Sequence, residues 1–110
     1  MENKIRRLLM SIGIDPALSG YEYLVDAVGI CYQDRKYLRQ ITKMLYPCIA
    51  QKNNTTPTKV ERAIRVVINN ASNLCPKIYE ILILPPSVEK GAYTNSQFIG
   101  ACVEYLRMER

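Results

Sequence analysis

Residues 46–71, YPCIAQKNNTTPTKVERAIRVVINNA, decide how this chain folds, because they spell a short helix, a tight turn and a longer helix without interruption. In the longer helix Val60, Ala63, Ile64, Val67, Ile68 and Ala71 recur at i, i+3, i+4, i+7, i+8 spacing, which gathers them into one apolar arc for a core to cover. Thr58, Arg62, Arg65 and Asn69 fall opposite, with Glu61 and Arg65 one turn apart. Thr56 and Pro57 set its start: the hydroxyl serves as N-cap, and a proline at the first helical position gives up an amide that has no partner there. Pro47 suits the start of the short helix for the same reason, and Asn53, Asn54, Thr55 and Thr56 form the turn. The arrangement presents side chains as a DNA major groove requires. Arginine offers two parallel donors to guanine O6 and N7, and glutamate accepts from cytosine N4.

Outward from this stretch, Ile5, Leu8, Leu9 and Ile12 predict a first helix that ends at Gly13 and Asp15-Pro16 and leaves Arg6 and Arg7 on its outer side. After a turn at Ser19-Gly20, Leu24, Ala27, Val28 and Cys31 predict a second, with Tyr21, Tyr23 and Tyr32 at the edges of the stripe. A third is expected from Arg35 to Leu45, burying Leu38, Ile41 and Leu45, exposing Lys36, Arg39 and Lys43, and broken at Pro47 by the missing donor and the ring. Beyond the long helix, expected to reach Leu74, Pro76 is a stop. Residues 78–84 are a short apolar run whose periodicity fits helix or strand. Pro85 to Tyr93 reads as a plain connection. Thr94-Asn95-Ser96-Gln97 matches a capping box opening a last helix that buries Phe98, Ile99, Cys102, Val103 and Leu106. With no strand alternation and no repeat, the expected fold is all-α. It has roughly six helices in one domain over 1–110, with a helix-turn-helix at 46–74.

Composition narrows the function. A chain of 110 residues builds one core and is too short to expect two. The net charge of +5 hides an asymmetry: from Arg35 to Arg65 there are eight basic residues and one acidic residue, while the rest holds seven and nine. Basicity confined to one segment suggests a phosphate-facing surface. The four cysteines, Cys31, Cys48, Cys75 and Cys102, form no C-x-x-C pair, and the chain has no histidine, so neither a metal site nor a disulfide framework is expected. Free thiols fit a reducing cytoplasm, where a soluble chain without a secretory signal or a run of ~20 apolar residues belongs. No membrane partner is expected. The constellations of acid-base and nucleophilic catalysis are missing, as is a glycine-rich phosphate loop, so the chain reads as neither an enzyme nor a cofactor binder.

YPCIAQKNNTTPTKVERAIR together with TNSQFIGACVEYLRMER resembles the C-terminal effector domain of the sporulation master response regulator of endospore-forming bacteria. The likeness extends to IGI, to GYEYLVDAV and to ITKMLYP, and so covers most of the chain. It implies a six-helix module that binds double-stranded DNA and regulates transcription, with the glutamate and two arginines of VERAIR, here Glu61, Arg62 and Arg65, on the bases. Thr58 matches a small hydroxyl residue near the groove, and Lys52 and Lys59 match basic positions facing phosphate. Thr56 and Asn69 complete the expected groove and phosphate set. The family also implies contact with an RNA polymerase sigma factor, here through 76–86, yet LCPKIYEILILPPSVEKGAY over 74–93 departs from the family's residues. Val66 stands where the family carries a histidine. No receiver-like α/β segment precedes the module, so the chain reads as an excised effector domain or a stand-alone relative.

A second reading makes the chain a helical protein-interaction module, using 76–86 and exposed tyrosines to dimerise on tandem sites or to compete with a full-length regulator. There is also a bland reading of the recognition residues. Glu61 and Arg65 at i, i+4 form a pair worth about 0.2–0.5 kcal/mol on any exposed helix.

Overall fold

The computed structural model describes residues 1–74 and 94–109, and for 72–74 the backbone alone. Its elements are α1 (Glu2–Ser11), α2 (Tyr21–Gln33), α3 (Lys36–Arg39), a wide helical turn (Ile41–Leu45), α4 (Tyr46–Lys52), α5 (Pro57–Leu74) and α6 (Asn95–Met108). The fold is all-α, with six helices and no strand among the described residues. The readings of Cys75, Pro76, the apolar run 78–84, the connection 85–93 and the sigma-factor surface 76–86 lie outside the described residues.

The core forms around α2, which packs against α1, α4, α5 and α6. Leu24, Ala27, Val28 and Cys31 supply its fully buried stripe at the spacing read from the sequence. Leu9 and Ile12 meet it from the N-terminal side, Leu45 and Ile49 from α4 and the turn before it, Ile64 and Ile68 from α5, and Phe98 and Ile99 from α6. Because apolar stripes from several directions converge here, each helix is held by area buried against the others more than by its own propensity. Cys31 and Cys102 are buried free thiols and Cys48 a half-buried one. Burial, with a smaller contribution from Asp34, pushes the Cys31 thiol up to about 12, and burial alone pushes Cys102 up, so both behave as small hydrophobes.

Two expectations are corrected. Tyr21 is not at the edge of its stripe but in the core, because α1 crosses the start of α2 and lays Arg6 over the ring, 5.5 Å from its centroid. The same guanidinium donates to both carboxylate oxygens of Glu22, at 3.0 and 2.8 Å, and to Glu2 at 3.1 Å. The second correction concerns the third helix, which breaks at Gln40 and not at Pro47. Gln40 leaves helical geometry at φ −135°, ψ 58°, and the chain restarts in a wide turn where the Tyr46 amide reaches back to the Ile41 carbonyl. That i→i+5 step widens the backbone just ahead of Pro47 and makes room for a ring that would clash with the carbonyl four residues earlier. Pro47 then sits in the first turn of α4, where its absent donor costs nothing.

Candidate nucleic-acid interface

The turn between α4 and α5 is closed by backbone geometry that its asparagines permit. Asn54 is left-handed, at φ 53°, a conformation asparagine tolerates better than most residues. Around it the Thr55 amide donates to the Ala50 carbonyl at 2.9 Å and the Asn54 amide to the Gln51 carbonyl at 3.4 Å. This double closure satisfies the last carbonyls of α4 and turns the chain at a fixed angle. Thr56 then opens α5 as expected: its hydroxyl accepts from the Lys59 amide at 3.3 Å and its carbonyl from the Val60 amide at 3.1 Å.

α5 is amphipathic along its described length. Val60, Ile64, Val67, Ile68 and Ala71 have no exposed surface, while Thr58, Lys59, Arg62, Arg65 and Asn69 are exposed. Thr58, Glu61, Arg62 and Arg65 line one open hollow together with Thr42, Tyr46 and Pro57. Within it Arg65 Nη2 lies 2.8 Å from Glu61 Oε2, whereas Arg62 makes no ion pair among the described residues. Glu61 therefore does two things at once: it presents an acceptor outward and orders the long Arg65 side chain beside it. Val66 is 59% exposed on the same helix, an apolar patch among polar neighbours.

Three residues fix where this face points, and none was singled out as a site residue from the sequence. Asn95, 9% exposed at the first position of α6, donates from Nδ2 to Tyr46 Oη at 3.0 Å and to the Glu61 carbonyl at 3.1 Å. One amide thus ties α6 to α4 and to α5 at Glu61. Burial pushes the Tyr46 phenol up, against the bond from Asn95, so the ring keeps its proton and the acceptor stays neutral. Asp26 of α2 accepts from Lys52 Nζ at 2.8 Å and Asn53 Nδ2 at 3.2 Å, which bolts the turn to the core helix. Gly20 lies against α5 so closely that a Cβ there would stand 2.7 Å from Val67 Cγ2 and closer still to the Ala63 carbonyl. Faint signals existed. Asp26 interrupts an apolar run, Gly20 precedes a helix, and Asn95 sits inside a capping box that does not itself use its side chain.

Of the residues named from the sequence, Glu61, Arg62, Arg65 and Thr58 come together in the hollow, with Thr56 at its helix start and Lys59 and Asn69 exposed further along α5. Lys52 does not join them. It lies at the far end of α4, in a depression shared with Met1, Glu2 and Ile5, and its ammonium is taken by Asp26, whose hydrogen bond and charge hold its pKa up.

A helix-turn-helix on an all-helical scaffold, with arginines and a glutamate directed outward from its second helix, defines the class of DNA-binding regulatory domains. Residues 5–106 match the family described as sporulation initiation factor Spo0A C terminal, nearly the whole chain, and the chain belongs to that family. That family is the DNA-binding effector domain of the sporulation regulator, which makes the chain a DNA-binding regulatory domain at the level of the family. Among the described residues no helix is long and apolar enough to cross a membrane.

Proposed function

We propose that this chain acts as one domain that binds double-stranded DNA sequence-specifically, with α5 lying in the major groove. Arg62 and Arg65 then donate to guanine edges, Glu61 accepts from a cytosine amine, and Thr58, Lys59 and Asn69 meet the groove walls and phosphates. The observation that carries this reading is the hollow in which Thr58, Glu61, Arg62 and Arg65 meet, on a helix tethered from behind by Asn95, Asp26 and Gly20. Base reading depends on such rigidity, because a helix free to roll presents its donors to no fixed base. The Glu61–Arg65 pair is more than the surface pair it would be elsewhere: ordering Arg65 before contact lowers the entropy lost on docking.

The test is selection from a randomised duplex pool at two salt concentrations, followed by titration of the selected sequence. Arg62→Ala and Arg65→Ala should each cost roughly 1–3 kcal/mol and relax one position of the preferred site. If Arg62→Ala keeps both affinity and preference, α5 does not read bases through this face.

A further inference from the structure

We infer that Arg39, Thr42, Lys43 and Ser96 form a second seat, for the sugar-phosphate backbone of the duplex whose groove receives α5. The inference rests on the proposed placement of α5 and adds a binding surface to it. Leu38, Arg39, Gln40, Ile41, Thr42, Lys43 and Ser96 line a depression beside the recognition hollow, and Thr42 belongs to both. The two depressions therefore adjoin at Thr42, with Glu61, Arg62 and Arg65 on one side of it and Arg39 and Lys43 on the other.

Charge and position together single out this seat. Among the cations between Arg35 and Arg65, Arg35 is paired with Glu104, Lys52 with Asp26 and Arg65 with Glu61. Lys36, Arg39, Lys43, Lys59 and Arg62 are exposed and, among the described residues, in no ion pair; of these only Arg39 and Lys43 line this depression, and no carboxylate is among its described lining residues. Two such cations lining one depression fit a polyanion better than a lone anion, since a strand offers phosphates in succession. The break at Gln40 and the wide turn after it bring this about, because they place Arg39 and Lys43 on the rim of one depression while Ile41 and Leu45 remain in the core. The hydroxyls of Thr42 and Ser96 add neutral donors of the kind that contact phosphate oxygens. In a helix-turn-helix the first helix crosses the backbone while the second lies in the groove. Here the end of α4 that does so is the one next to Thr42, not the end at Lys52.

The decisive measurement is the salt dependence of binding by the full 110-residue chain to the duplex selected above. Replacing Arg39 and Lys43 together (Arg39→Gln, Lys43→Gln) should flatten the slope of log affinity against log salt by about 1.8, and lower affinity about tenfold on preferred and scrambled duplexes alike. Lys52→Gln should leave the slope unchanged. Neutral methylphosphonates placed one at a time along the selected duplex should weaken the parent chain at one or two positions and leave the double variant indifferent there. An unchanged slope in a double variant that melts like the parent overturns the seat, as does a parent chain that binds no duplex. A parent that binds every duplex equally, while the double variant still shows the flattened slope, removes base reading by α5 and leaves the seat standing.

Discussion

Replacing Asn95 with alanine removes a single buried amide that joins three helices, and the loss can be worked out bond by bond. The Nδ2 group donates to Tyr46 Oη at 3.0 Å and to the Glu61 carbonyl at 3.1 Å. Each bond contributes roughly 0.5–1.5 kcal/mol net, and losing a partner inside the protein adds a desolvation penalty for whatever remains unpaired. The two acceptors differ in what they retain. The Glu61 carbonyl lies within the continuous helix Pro57–Leu74 and keeps its i+4 amide donor, whereas the Tyr46 hydroxyl, on a residue 6% exposed, loses the donor it has. The sum is about 2–3 kcal/mol, a large part of the ~5–15 kcal/mol that holds a domain of this kind together. In a melt this corresponds to a fall of roughly 10 °C. Urea unfolding should show a lower midpoint with an unchanged m-value. A cycle with Tyr46→Phe should return a coupling energy of about 1 kcal/mol, because the second substitution has nothing left to break once the first is made. If Asn95→Ala unfolds within about 0.5 kcal/mol of the parent, or if the cycle shows no coupling, the clamp that joins α6 to α4 and α5 contributes nothing and the reasoning fails.

Gly20→Ala forces a Cβ onto the Ala63 carbonyl and Val67, so it should cost roughly 1–3 kcal/mol and displace α5, read as a lower melting temperature together with weaker duplex binding; a variant matching the parent in both refutes the close approach. The Arg6–Glu22 contact, which fastens α1 to α2, gives an acid dependence: Arg6 holds the Glu22 carboxyl below its ordinary 4.5 in the folded chain, so this stabilisation is present above that value and fades as pH falls through the lower folded one. Urea midpoints should thus drop more steeply below about pH 4.5 in the parent than in Glu22→Gln, and parallel curves would count against the contact.

Helix positions and the division of α5 into a buried and an exposed face were legible in the sequence because their causes are local. Proline and threonine at positions 56–57 fix the start of α5 through the chemistry of four neighbouring amides, and the capping box of Thr94 and Gln97 does the same for α6, where both reciprocal bonds form. The apolar spacing of Val60 to Ala71 assigned the inner face of α5, and so its outer face. Pro47 misled because its effect depends on what the preceding turn can do. A widened turn absorbs the ring, and the interruption moves to Gln40. Lys52 belonged with the phosphate set by sequence position, but only the packing of α4 on α2 shows that Asp26 holds its charge.

The amino-acid order alone determined that this is a helical protein, where α5 begins, and that Glu61, Arg62 and Arg65 share a turn of it, since propensity, capping and periodicity act over a few residues. Tertiary structure decided which way that face looks and which cations have no ion-pair partner among the described residues. Asn95, Asp26, Gly20 and Glu104 act on partners 26 to 69 residues away, or against a neighbouring helix. Contacts of that range arise only after the apolar stripes have brought the helices together, and no local pattern encodes them.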